Sequence, residues 1–100
     1  MYYYSNTPLL MNKDSKKISK IIATLKDQKL INGFLNDILT PGEIEDISLR
    51  LDILKLLNKG LTQREISKKL GLSISTVTRG SRVLKYGTGA IKQLLKSKIL

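Results

Sequence analysis

Between Thr62 and Leu84 the sequence sets out two short helices around one glycine, and that spacing leaves few folds open. Thr62-Gln63-Arg64-Glu65 is a capping box, in which a threonine hydroxyl and a glutamate carboxylate satisfy each other's free backbone N–H groups. Ile66 and Leu70 follow four residues apart, on one face of a helix. Gly71 stops that helix after about two turns, and a glycine supplies the positive φ of a tight turn. Leu72 then plugs the turn and Ser73 caps a second helix, whose buried positions by period are Ile74, Val77 and Leu84. The segment at about residues 62–86 is therefore expected to be a helix-turn-helix.

Helical signals continue on either side, with neither a strand pattern nor an internal repeat. From Ser15, Ile18, Ile21, Ile22 and Leu25 fall at helical spacing opposite Lys16, Lys17, Lys20 and Lys26. A second set, Leu30, Ile31, Phe34, Leu35, Ile38 and Leu39, has apolar groups on both faces and predicts deep burial or a subunit contact. Thr40-Pro41-Gly42-Glu43 is another capping box with proline at the first helical position. The helix it opens carries Ile44, Ile47, Leu51, Leu54 and Leu57, broadened by Leu49, Ile53 and Leu56, and stops at Gly60. Gly87 and Gly89 end the helix that begins after Ser73, and a last amphipathic helix carries Ile91, Leu94, Leu95 and Ile99. The expected organisation is a flexible arm over residues 1–14, including Tyr2, Tyr3 and Tyr4, and an all-α domain of about six helices over residues 15–100.

Charge is distributed unevenly along this framework. The 100 residues carry a formal net charge of +10. Residues 61–100 hold nine basic side chains against one acidic, whereas residues 41–60 are nearly balanced. No carboxylate side chain occurs from Ser67 through Leu100. A helix presented to phosphate is expected to lack carboxylates, so this half is read as a face for a polyanion. The residues left outside on the first turns of the second helix are Ser73, Ser75, Thr76, Thr78 and Arg79. Short hydroxyls and one long cation have the size and chemistry for base edges and phosphates in a major groove. There is no Cys and no His. That removes disulfides, thiolate metal sites and the usual general base, and no nucleophile–base pair can be assembled, so an enzyme is not expected. No cofactor is expected either. No apolar run approaches the roughly 20 residues of a membrane span, and a cytoplasmic location, on the nucleoid when bound to DNA, is expected.

Leu39-Thr40-Pro41-Gly42-Glu43, Leu61-Thr62-Gln63-Arg64-Glu65-Ile66 and Thr76-Val77-Thr78-Arg79-Gly80-Ser81, spaced as they are, resemble the Trp operon repressor family over about residues 30–98. The resemblance implies an intertwined homodimer with a shared helical core, two projecting reading heads, and a near-palindromic double-stranded operator. It places Arg64 and Thr78 at the DNA, with Ile74 and Ser75 at the start of the reading helix. With Ser73, Thr76, Arg79 and Lys85 these make up the expected DNA-contacting set. In the family two arginines sandwich the indole of the corepressor L-tryptophan, and these match Arg50 and Arg79. Gly80 would leave room for the ring, and Thr40 and the carbonyl of Leu39 lie where the family touches its ligand. Val83 stands where tryptophan-binding members carry a serine toward the ligand ammonium, and Asp37 replaces an apolar residue. The short connection from Gly60 to Thr62 and the run Leu84-Lys85-Tyr86-Gly87 are closer to YerC-type relatives. The corepressor is thus L-tryptophan, another small aromatic ligand, or none. Two other readings stand beside a ligand-responsive repressor. One is a ligand-independent DNA-binding regulator or mobile-element accessory factor; the other is a helical adaptor whose basic face takes an acidic protein.

Overall fold

The computed structural model describes residues 12–100, and all regular structure among them is helical. The tyrosine arm falls outside these residues except at its end. There Asn12 accepts a hydrogen bond from the Ser15 N–H at 2.7 Å, and helix α1 (Lys13–Thr24) begins two residues before Ser15. A side-chain cap lying ahead of the first apolar residue accounts for the difference. Helix α2 (Gln28–Ile38) is capped in the same manner by Asp27, which accepts from Leu30 N–H at 2.7 Å. Helix α3 (Pro41–Asn58) opens on the expected capping box. Thr40 N–H donates to the Glu43 carboxylate at 2.8 Å, and Glu43 N–H donates to the Thr40 hydroxyl at 3.1 Å.

The chain divides into two compact units within α3, between Ile47 and Ser48. In the N-terminal unit no residue of α1 or α2 is buried. Ile18, Ile21, Ile22 and Leu30 are exposed, and Ile38 is 65% exposed. The deep burial expected of α2 is therefore not met among the described residues.

The C-terminal unit contains the end of α3, α4 (Gln63–Leu70), α5 (Ile74–Tyr86) and α6 (Ala90–Lys96). Its centre is Ile53, Ile66 and Val77, one residue from each of three helices, all fully buried. Leu56, Leu57, Leu61, Leu70 and Leu72 pack around them. Burying each such side chain stabilises the fold by about 1.5–3 kcal/mol. Ile53, at the margin of the expected stripe, is thus the residue of α3 at the centre of this cluster, and Leu54 from within the stripe is buried as well. The turn between α4 and α5 is as expected: Gly71 is left-handed at φ 68° and ψ 36°. The Leu72 N–H returns to the Ser67 carbonyl at 3.0 Å, and the Ser67 hydroxyl donates to the Leu72 carbonyl. In α6 Leu95 is buried, whereas Ile99 lies beyond the helix and is 72% exposed. The helix ends at Lys96, so the periodic position at Ile99 has no turn to hold it against the core.

Candidate nucleic-acid interface

Helix α4 is fixed at its first turn. Thr62 N–H donates to the Glu65 carboxylate at 2.8 Å and Glu65 N–H donates to the Thr62 hydroxyl at 3.1 Å. This reciprocal cap leaves Arg64 exposed on the opening turn. Three residues, Gly71 to Ser73, then turn the chain into α5. Ser73 accepts from the Thr76 N–H at 3.2 Å and lies 2.8 Å from the Thr76 hydroxyl and 3.1 Å from that of Ser75. The result is a hydroxyl cluster at a helix N-terminus, where the first N–H groups and the helix dipole favour an anion.

Along α5, Val77 and Gly80 point into the core while Ile74, Ser75, Thr76, Thr78 and Arg79 are exposed. Helical period predicts burial for Ile74, but it is 47% exposed. It is the first helical residue after the cap, and the inward place is taken by Leu72 from the turn and Val77 from the next turn. This puts Ile74 on the same outer surface as the hydroxyls. Lys85 is exposed at the other end of α5, with its ammonium 5.5 Å from the Tyr86 ring centroid. Arg82, exposed between Thr78 and Lys85, is absent from the expected contacts, although its charge and the helical period are visible in the sequence.

A polar clasp on this surface joins residues far apart in sequence. The Thr78 hydroxyl donates to the Gln63 side-chain carbonyl at 2.6 Å, and the Gln63 amide donates to the Ser81 hydroxyl at 3.2 Å. Ser81 in turn donates to the Thr78 carbonyl at 2.8 Å. The clasp ties the start of α4 to the exposed side of α5, so the angle between the two helices is held by polar contacts outside and by Ile66 and Val77 inside. In the sequence Gln63 stands out only as part of the capping motif.

A helix-turn-helix with a rigid capped turn, a hydroxyl-rich outer face and no carboxylate after Glu65 can place α5 against a polyanion. The family model described as Trp repressor protein matches residues 13–99. The chain belongs to the Trp repressor family. A Trp operon repressor homolog of Vibrio campbellii is 40% identical over 86 residues, covering 85% of this chain and 86% of that one. The protein YerC of Bacillus subtilis is 31% identical over 86 residues, covering 86% of this chain and 83% of its own. Among solved structures, a TrpR-like protein from Eubacterium eligens superposes with a TM-score of 0.78 at 27% identity, covering 91% of this chain and 94% of that one. As a member of the Trp repressor family the chain is a DNA-binding regulator and not an enzyme.

The residues expected at a ligand site fall in both units. Leu39 and Thr40 stand at the α2–α3 junction, where both the N–H and the hydroxyl of Thr40 are engaged by Glu43. Backbone N–H donation from Thr40, and then its side chain, holds the Glu43 carboxyl below the usual carboxylate range, against a smaller opposing effect of desolvation. In the C-terminal unit Arg50 and Arg79 are exposed and Val83 is half-buried, with its carbonyl accepting the Gly87 N–H at 2.9 Å. At Gly80 a Cβ would lie 2.8 Å from Ile53 Cγ2, so the glycine lets α5 approach α3 at that residue. No helix among the described residues is long and apolar enough to cross a membrane.

Proposed function

We propose that this regulator is a transcriptional repressor that binds a near-palindromic operator as an intertwined homodimer, with α5 entering the major groove of each half-site. The observation that carries the reading is the outer face of α5. Ser73, Ile74, Ser75, Thr76, Thr78 and Arg79 lie together there, on a helix whose opposite side is locked by Val77. Phosphates would be met by Arg64, Arg79 and Lys85, and base edges by the hydroxyls. The exposed isoleucines of α1 and α2 support a second copy as their cover. Helix-turn-helix dimers, of which Trp repressor is a reference case, space their heads about one helical turn apart, ~34–36 Å. Relatives named as Trp operon repressor homologs support the repressor role, and a cytoplasmic, nucleoid-associated location follows from it.

The same proposal gives the repressor a flat aromatic corepressor, L-tryptophan first among them, between Arg50 and Arg79. Guanidinium planes stack on an indole and pair with a carboxylate. A ligand held there would couple to operator affinity through the setting of the heads. One observation favours a second, ligand-independent reading of the YerC kind. Val83 offers the ligand ammonium no acceptor, a loss of about 1.5–3 kcal/mol for a charge-assisted bond. Calorimetric titration with L-tryptophan separates the two. Heat at micromolar ligand, abolished in Arg50→Ala, supports the corepressor. No heat at several temperatures, with duplex binding indifferent to the amino acid, supports the second reading.

A further inference from the structure

We infer that Thr78 presents itself to DNA as a hydrogen-bond acceptor only, with its polarity set by Gln63, and that it reads the exocyclic amino group of an adenine or cytosine. This rests on the DNA-binding reading of α5. A serine hydroxyl has one hydrogen, and that of Ser81 is directed at the Thr78 carbonyl oxygen at 2.8 Å. Toward Gln63 the Ser81 oxygen can then only accept, so the partner at 3.2 Å is the Gln63 amide nitrogen. That turns the other end of the amide, a carbonyl oxygen with no hydrogen, toward the Thr78 hydroxyl at 2.6 Å. The Thr78 hydrogen is therefore committed to Gln63. Reversing the amide would set the Gln63 carbonyl against a Ser81 oxygen whose hydrogen is already placed, and two acceptors would face each other.

Thr78 itself is exposed, so its two lone pairs remain open to the groove. In the major groove the donors are adenine N6 and cytosine N4. Guanine O6 and N7, adenine N7 and thymine O4 are acceptors, as are the phosphate oxygens. A freely turning threonine bonds either kind. A threonine clasped by Gln63 bonds only the amino groups and gains nothing from phosphate. Gln63, which need not touch DNA, thereby becomes a positioning residue for specificity.

The test uses the full chain and a duplex recovered from a random pool. Comparing wild type with Thr78→Val locates the base pair whose discrimination depends on the hydroxyl. At that pair, purine in place of adenine, or pyrimidin-2-one in place of cytosine, removes the amino group and tells the two bases apart. The expected result is a loss of about 3- to 10-fold in wild-type affinity, the size of one hydrogen bond, and no further loss in Thr78→Val. Thr78→Ser should keep the preference. Gln63→Met, similar in length and unable to hold the hydroxyl, should relax it while the melting temperature stays within a few degrees. Coupling of Thr78 to an acceptor, tested with 7-deazaadenine or a methylphosphonate, would overturn the inference. So would the absence of coupling to any base, or an unchanged preference in Gln63→Met. Failure of the wild type to enrich any duplex would instead remove the DNA-binding reading beneath it.

Discussion

Gly80→Ala is the substitution whose outcome the packing determines most sharply. The added methyl would come to 2.8 Å from Ile53 Cγ2, with Ile53 Cβ at 3.5 Å and Cδ1 at 3.6 Å. Three atoms of one β-branched residue line the site, so rotating a single flexible tip does not clear it. Ile53 is itself 1% exposed and wedged against Ile66 and Val77. Inserting a methyl into such a core costs about 1–3 kcal/mol. Alanine gives back about 1 kcal/mol as a better helix former than glycine. A net destabilisation of about 1 kcal/mol is expected, a fall of about 4–8 °C in melting temperature for a chain of this size. Circular dichroism at a fixed chain concentration measures it, since association would shift the midpoint. Ile53→Leu supplies the control, because it removes the branch at Cβ at a cost under about 1.5 kcal/mol. In that background Gly80→Ala should become neutral or stabilising, a coupling of about 1–3 kcal/mol between the two sites. A Gly80→Ala chain that melts higher than wild type, or an equal effect in both backgrounds, would refute the close approach of α5 to α3.

Thr62→Ala removes the hydroxyl that accepts from Glu65 N–H. It should cost about 1 kcal/mol, read as a lower urea midpoint with unchanged slope; an unaltered midpoint would mean that the cap adds nothing. Glu43 has its folded-state pKa lowered by Thr40, so its contribution is whole above the ordinary glutamate value and is lost as pH falls through the folded one. Wild type should therefore lose melting temperature more steeply than Glu43→Gln between neutral pH and pH of about 3, and parallel curves would refute the assignment. Arg64→Ala should weaken binding to all duplexes alike and flatten the slope of log affinity against log salt by about 0.9 per phosphate that Arg64 neutralises. A weakening confined to one sequence would make Arg64 a base reader instead.

Local chemistry is legible in the sequence, and packing is legible in part: Ile66 and Val77 are buried where the helical period puts them. Both capping boxes, the left-handed Gly71 and the Ser73 cap stand where residue type and spacing put them, because each involves residues within one turn of each other. Helix α1 starts earlier than its apolar pattern indicates, because the Asn12 cap precedes that pattern. On α3, apolar residues occupy more than one face, so period alone does not choose Ile53 as the core residue; α4 and α5 make that choice. The approach of Ile53 to Gly80 joins two helices and carries no local signature in the sequence. The Gln63–Thr78–Ser81 clasp spans 15 to 18 residues and carries no local signature. The exposed isoleucines of α1 and α2 signal a need for cover that the described residues do not supply.

The placement of α5 in the major groove is tested by dimethyl sulfate protection on a duplex selected from a random pool. The reagent attacks guanine N7 in the major groove and adenine N3 in the minor groove, so each is read separately. With α5 in the groove, N7 is expected to be protected in two patches about one helical turn apart, with N3 left reactive between them. Protection at N3 alone, or no protection on a duplex that the chain binds, would contradict it.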